Sequence, residues 1–345
     1  MLTQPFLIAL CSAVLFGAAA PACKPLLGAF SPFQLAGLLY LGAALGVLPF
    51  TISRRDSFSP QRLDRRNRLL LIGAVGCGGI LGPVLLLFGL DSASATSVSL
   101  WLNMELVATA IMGTLLFRDR LGKVGWMAAA GILSASIWLA WGEGLAGIRG
   151  GVLVSLACLC WGFDNHFTAL IDGITPTGST FWKGVVAGTT NLVLGSLLGP
   201  WDASLAQVGI GLVIGAFSYG ASIVLYISAA QRLGATRSQL VFSSAPFFGV
   251  LFAFIGLGER ISSTQLAAGA ILVVALAILS WERHQHRHAH EPQDHEHAHR
   301  HDDAHHDHGH PGQAVENHHT HRHRHIESEH AHPHWPDLHH RHGHD

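Results

Sequence analysis

Through the first four fifths of this chain the apolar residues neither alternate nor recur at every third or fourth position. They continue almost unbroken for about 20 residues at a time, the length of helix that crosses a hydrocarbon core of about 30 Å. Ten such windows can be marked: Pro5 to Leu26, Pro32 to Ile52, Leu69 to Leu90, Ala95 to Phe117, Gly122 to Trp141, Gly150 to Ile171, Thr177 to Leu198, Leu205 to Ala230, Gln239 to Leu257 and Ser263 to Trp281. Continuous rather than alternating hydrophobicity favours helices over barrel strands, and the short polar turns between windows make consecutive helices antiparallel neighbours. Small residues at Ala18-Ala19-Ala20-Pro21-Ala22 imitate a signal-peptide cleavage site, but no Lys or Arg precedes Lys24, so the first window is expected to be a span.

Composition agrees with a lipid-solvated body. Of 345 residues 49% are hydrophobic and 12% charged, where a soluble domain carries about 25% charged residues. The charge is unevenly placed: residues 1 to 281 hold 15 Lys/Arg and 10 Asp/Glu, while the last 64 residues hold 6 and 12 with 24 of the 25 His. Near Trp281 one kind of polymer gives way to another. With a net charge of -1 and Arg in short clusters between apolar runs, nucleic acid is not an expected partner.

The basic residues set an orientation. With the N-terminus inside, Arg54, Arg55, Arg62, Arg65, Arg66, Arg68, Arg118, Arg120, Lys123, Lys183, Arg232 and Arg237 fall on the cytoplasmic side, against Lys24, Arg149 and Arg260 outside. The expected location is the bacterial inner membrane, multi-pass, with both termini cytoplasmic. Cys11, Cys23, Cys77, Cys158 and Cys160 all lie in or at the ends of spans without an obvious partner in an oxidising loop, and Cys158 and Cys160, two apart on a helix, are expected to be small buried residues rather than a metal pair.

Laying Leu85 to Trp141 over Leu225 to Trp281 without a gap gives ten identities in 57 positions, including Ala95/Ala235, Thr96/Thr236, Arg120/Arg260 and Trp141/Trp281. Five spans are followed by five similar ones, and an odd repeat enters the membrane with opposite polarity. The expected fold class is an all-α integral membrane protein of about ten transmembrane helices in two inverted five-helix repeats, residues 1–141 and 142–281, followed by a disordered His-rich cytoplasmic tail, 282–345. Leu102-Asn103-Met104-Glu105-Leu106-Val107 with Leu116-Phe117-Arg118-Asp119-Arg120-Leu121-Gly122, and Ala245-Pro246-Phe247 with Leu257-Gly258-Glu259-Arg260, resemble the EamA segment of the drug/metabolite transporter superfamily. Trp161-Gly162-Phe163-Asp164-Asn165-His166 is similar to a motif in one bacterial branch of it. Family members usually have Pro after the span-four Glu, where Leu106 stands here, and that branch tends to have Asn where His166 stands. The resemblance implies export or exchange of a small solute by an inner-membrane carrier, not an enzyme.

Ionisable groups inside the spans are the candidate chemistry, since a charge at mid-depth costs about 2.5 to 3.5 kcal/mol even on insertion scales. Glu105 lies near the middle of its span and has Ala245 as its repeat counterpart, so the scaffold does not demand an acid. It is expected to carry a proton or face substrate, with a packing role as the alternative. Asp164 and Lys183 sit at similar depth on consecutive spans and can meet as a clasp or a gate. His166 would be the first transport-site candidate if the solute were a metal ion, and is otherwise an interior hydrogen-bonding residue. Asn103, Asn165 and Asn191 could bridge helices or line a cavity. Asp91, Glu143, Asp119 and Glu259 at span ends are expected to be solvated caps.

No cofactor is required by this reading. The tail alternates as in His284, His286, His288 and His290, then His295, His297, His299 and His301, then His321, His323 and His325, with acids interspersed, and can bind Zn, Ni or Co. His295-Glu296-His297-Ala298-His299 satisfies HExxH literally, but that chemistry needs a rigid helix. The function expected is proton-coupled export or exchange of a small solute. One alternative is a divalent-metal exporter fed by the tail, and another is a membrane-anchored metal sensor or buffer. The sequence leaves the oligomeric state open.

Overall fold

The computed structural model describes residues 4–52, 63–116, 122–171, 174–233 and 235–280, and within the tail 285–290, 294–299, 319–324 and 328–333. Two units separate, Met1–Glu282 and Arg283–Asp345.

Long apolar runs without turn residues become helices in the first unit. These are α1 (Gln4–Gly28, its end tightening to a 3-10 helix over Lys24–Gly28), α2 (Pro32–Ile52), α3 (Arg65–Ser92), α4 (Ala95–Trp101 and Met104–Leu116), α5 (Lys123–Gly142), α6 (Gly144–Leu170), α7 (Pro176–Leu198), α8 (Leu205–Ile214 continuing to Leu233), α9 (Ala235–Phe242 and Ala245–Leu257) and α10 (Ser263–Ser280). Side-chain caps set several starts: Asp64 accepts from Asn67 N, Ser94 from Ser97 N, Thr175 from Gly178 N, and Ser204 and Gln207 form a capping box. Gly258, at φ 67°, ends α9 in the left-handed conformation that glycine adopts without a Cβ clash. Gly144, at φ 70°, turns α5 directly into α6, so α6 begins six residues before the sequence window at Gly150.

Among the described residues seven runs are long and apolar enough to cross a membrane: α1 to α6 and α8. Ala245–Leu257 and Ser263–Ile278 are apolar but shorter. The 23 residues of α7 include Thr177, Ser179, Thr180, Lys183, Thr189, Thr190 and Asn191, which lower its hydropathy. The burial pattern suits lipid rather than water. Leu69, Ile72, Trp138, Trp141, Leu197, Leu205 and Ile255 face outward, while Gln34, Ser97, Thr180, Lys183 and Asn191 are buried. So much exposed aliphatic and aromatic surface is foreign to a soluble monomer.

Helix packing follows one rule. α2 packs on α7, α4 on α9, α5 on α10, α1 on α8 and α3 on α6. Replacing each helix by the one five places along leaves the first three pairs unchanged and interchanges the last two. Irregularities obey the same rule: α3 widens to a π-helix over Val75–Leu81 and α8 does so over Gly215–Ala221, 140 residues later at both ends. Glycine sets the closest approaches, since a Cβ at Gly188 of α7 would lie 2.7 Å from the Leu41 amide nitrogen of α2.

In the second unit the described backbone forms two antiparallel two-stranded ladders, Gln285–His290 with Ser328–Pro333 and Asp294–His299 with His319–Arg324. The sequence expects no regular structure in this stretch; extended alternation of His with small or charged residues is compatible with pairing, although two-stranded ladders have marginal stability in water. Of the tail's candidate ligands, His284, His301 and His325 lie outside the described residues. His286, His288, His290, His295, His297, His299, His321 and His323 are described in backbone alone.

Candidate functional site

The interruptions in α4 and α9 have local causes. In α4 the backbone N–H and the side-chain Nδ2 of Asn103 both donate to the Leu100 carbonyl, at 3.3 and 3.1 Å, which closes a turn and ends the first segment. The helix resumes at Met104, which puts Glu105 in the first turn of the second segment. In α9 Pro246 has no N–H, and its ring would collide with the Phe242 carbonyl if the helix ran straight through. Ser243 and Ser244 close the preceding turn, each bonding one carbonyl through both its backbone N–H and its hydroxyl: Gln239 O at 2.8 and 2.8 Å, and Val241 O at 3.1 and 2.7 Å. The expectation of one continuous ninth window is corrected accordingly.

The two interruptions meet at a narrow cleft lined by Leu102, Asn103, Glu105 and Leu106 of α4, by Gln239, Phe242, Ser243, Ala245 and Pro246 of α9, and by Phe16 of α1. Its volume is about 10 Å³, roughly one water molecule's space. Glu105 is 9% exposed. Its Oε1 accepts from Asn165 Nδ2 of α6 at 2.9 Å, and the same amide lies 3.3 Å from Thr109 Oγ1. No Lys, Arg or His pairs with Glu105 among the described residues. Asn103, 2% exposed, keeps its Oδ1 without a hydrogen-bond partner.

Asp164 and Lys183 meet, as their depths allow. Lys183 Nζ donates to both carboxylate oxygens at 2.6 and 2.7 Å, and Thr168 Oγ1 adds a bond to Oδ1 at 3.0 Å. The pair lies against the π-helical turn of α3, where a Cβ on Gly78 would overlap the Asp164 carboxylate. Pro83, lacking an N–H, leaves carbonyls in that turn without a helical donor. Donors from three other helices supply them: Tyr40 Oη at 2.5 Å and Trp161 Nε1 at 3.1 Å reach Gly78 O, and Asn191 Nδ2 reaches Gly79 O at 3.2 Å. The ion pair and this node fasten α2, α3, α6 and α7 together. His166 Nδ1 lies 2.8 Å from Gly162 O of its own helix. Among the described residues no group of three or more His, Cys, Asp or Glu is placed to hold a metal ion.

Two expected solvated caps are engaged instead. The Glu259 carboxylate accepts from the Ala95 and Thr96 amides, each at 2.9 Å, and from Thr96 Oγ1 at 2.7 Å, so it caps α4 from the turn between α9 and α10. Glu143 accepts from Ser97 Oγ and from Gln265 Nε2. Glu259 thus meets free backbone amides at a helix start, whereas Glu143 is held by side-chain donors alone. Asp119 lies outside the described residues. Lys24 is likewise occupied, donating to Leu90 O at 2.5 Å and Ala93 O at 2.9 Å at the end of α3.

Of the candidate residues, Glu105 and Asn103 line the cleft and Asn165 bonds Glu105 from α6, while Asp164 and Lys183 pair at the π-helical turn and His166 bonds its own helix. Tyr40, Trp161, Gln239 and Ser243 are not among the candidates. The signals were present as Pro83 after a Gly-rich run and as Ser243-Ser244 before Pro246, both marks of an interrupted helix.

Comparison with known proteins agrees with this architecture. The model of the EamA-like transporter family matches the chain twice, at residues 4–141 and 148–281. An uncharacterized transporter of Methanothermobacter thermautotrophicus is 26% identical over 291 residues, covering 78% of this chain and 83% of the relative. An uncharacterized transporter of Synechocystis sp. is 22% identical over 290 residues, covering 77% and 86%. A crystal structure of 16% sequence identity superposes with a TM-score of 0.61 over 80% of this chain and 96% of the other, a likeness of fold. With both halves matched by one family model, this chain belongs to the EamA-like transporter family.

Proposed function

We propose that the protein exports or exchanges a small solute across a bacterial inner membrane, in exchange for protons carried by Glu105. In this reading all ten helices cross the membrane, as two five-helix halves of opposite polarity with both termini in the cytoplasm. The pairwise packing that survives exchange of the halves supports that arrangement, as do the π-helical turns at matching places. Alternating access then consists of rocking one half against the other about a fixed central site.

The observation that carries the proposal is Glu105 itself: a buried carboxyl at the meeting point of one interrupted helix from each half, hydrogen-bonded by one amide and, among the described residues, without a cationic partner. Desolvation of an unpaired carboxylate is costly, so the group is poised to hold either a proton or a solute. Asn165 orients it. Asp164 and Lys183, both in the second half, neutralise each other and clasp α6 to α7 while the halves rock. Reconstitution into liposomes, with internal pH recorded during a screen of amino acids, nucleotide precursors and transition metals, tests this. Solute movement should be accompanied by opposite proton movement, and Glu105→Gln should abolish the proton component. A Glu105→Gln protein that still exchanged solute for protons would remove the proposal.

The density of His in the tail supports a second reading, in which Zn, Ni or Co is the solute and the tail collects or buffers it. Deleting residues 282–345 separates the two. Loss of Ni, Co or Zn tolerance in cells favours metal export; unchanged tolerance speaks against it. A metal sensor merely anchored by the helices would show no flux in liposomes.

A further inference from the structure

The first segment of α4 is fastened at one end by residues from the other half of the chain. We propose that Ala95–Trp101 is a lid over the cleft, hinged at the Leu102–Asn103 break and latched by Glu259 and Gln265, and that release of the latch opens the cleft to the face where α4 and α10 begin. That face is the outer one in the orientation proposed above. The inference rests on the transport reading and adds how one of the two faces is closed.

Position and hinge come first. The segment is seven residues long, all of them buried, and Leu102 and Asn103, which follow it, line the cleft. It therefore stands between that membrane face and Glu105. At the break the N–H groups of Asn103, Glu105 and Leu106 bond carbonyls three residues back, Leu100, Leu102 and Asn103, at 3.3, 3.1 and 3.2 Å. A short tightened stretch inside a helix is a place where the chain can bend.

The latch comes from the second half. Glu259 accepts from Ala95 N, Thr96 N and Thr96 Oγ1. Gln265 Nε2, at the start of α10, lies 2.8 Å from Ser97 Oγ and 3.1 Å from Ser94 Oγ. The same amide and Ser97 Oγ both reach Glu143 Oε1 in the α5–α6 turn. These bonds gather at the end of the segment farthest from the hinge, and those made to a carboxylate are the stronger kind. Glu259 and Gln265 lie in the half matched at residues 148–281 and the segment in the half matched at 4–141, so rocking the halves apart parts the latch.

The flanks of the segment are smooth. A Cβ at Gly249 of α9 would overlap Ser99 Oγ, and one at Gly150 or Gly151 of α6 would lie 3.1 or 3.3 Å from the Trp101 ring. Helix surfaces without side chains present no ridges against which the segment would have to climb. Trp101 Nε1 donates to Ser136 O of α5 at 3.2 Å, close to the hinge, and holds the pivot. In the closed position Ser99 Oγ is buried without a hydrogen-bond partner, a cost that water relieves when the lid lifts and that the latch offsets while it is down.

Accessibility tests the assignment. The full chain, with its five cysteines replaced and Ser243→Cys placed in the cleft, is studied in right-side-out and inside-out membrane vesicles, and the rate of modification by a membrane-impermeant thiol reagent is measured in each. Glu259→Gln should raise the rate from the outer face about tenfold or more without raising it from the inner face. Gln265→Leu, which leaves Glu259 in place, should shift the outer rate in the same direction by a smaller factor and serves if Glu259→Gln does not fold. A general loosening of the fold would raise both rates together, and that result overturns the proposal, as does an outer rate unchanged in both variants or a rise confined to the inner face. If liposomes carry proton-linked solute flux while the outer rate ignores both variants, the transport reading stands and the lid falls. If Glu259→Gln opens the outer face selectively but no solute moves in liposomes, the lid stands and the transport reading falls.

Discussion

Replacing one member of the Asp164–Lys183 pair should harm the protein more than replacing both. The side chains are 5% and 13% exposed for Lys183 and Asp164, so water contributes little to solvating either charge once its partner is gone. In Asp164→Asn the ammonium faces a neutral amide; in Lys183→Met the carboxylate retains the Thr168 hydroxyl as its described donor. Breaking a buried pair from one side costs about 3 to 5 kcal/mol, whereas an uncharged replacement of both members is often close to neutral. Each single variant should therefore lose about 3 kcal/mol or more, and the double variant less than either. Unfolding the four proteins in detergent by increasing sodium dodecyl sulfate, followed by helical circular dichroism, completes a double-variant cycle. Losses in the double variant equal to the sum of the single losses would refute the view that the two charges solvate each other.

Gly78→Ala should reproduce part of that damage, because the added Cβ would overlap the Asp164 carboxylate; an unchanged unfolding midpoint in detergent would contradict the packing described. Trp161→Phe removes one of the donors to Gly78 O and should cost about 1 kcal/mol in the same assay. Glu259→Ala leaves the Ala95 and Thr96 amides uncapped, at a cost of about 0.5 to 2 kcal/mol, and amide hydrogen exchange over Ala95–Trp101 should accelerate; unaltered protection there would count against the cap. For the tail, neutral imidazole is the metal-binding form, so Ni²⁺ and Zn²⁺ capacity by equilibrium dialysis should fall as pH drops through about 6.5, and a capacity independent of pH would exclude its 24 His as the ligands.

The sequence made some of this legible because lipid imposes a crude and therefore readable rule. Continuous apolar runs locate most of the helices, and an acid such as Glu105 is conspicuous against them. The Asp164–Lys183 encounter could be anticipated from depth alone, since both lie on consecutive spans at similar distance from one end. Where helices break was harder to read, because the break in α4 depends on how one Asn side chain competes for the Leu100 carbonyl, and apolar periodicity carries no trace of that. Pro246 and Pro83 were stronger signals, but an isolated Pro is common in membrane helices. The engagement of Glu143 and Glu259 was out of reach, since it depends on which turn meets which helix start across 46 and more than 160 residues of chain. His166 looked exceptional only because it is the lone His of the body; in the fold it bonds a carbonyl one turn away.

Alternating access requires the cleft between the two interrupted helices to be reachable from each side of the membrane in turn. Ser243 lines it. With the five native cysteines replaced and Ser243→Cys introduced, a membrane-impermeant thiol reagent should modify that position when applied to either face, one face at a time, with the favoured face reversing when the imposed pH gradient is reversed. Modification from one face alone under both gradients, while loop control cysteines react normally, would contradict it.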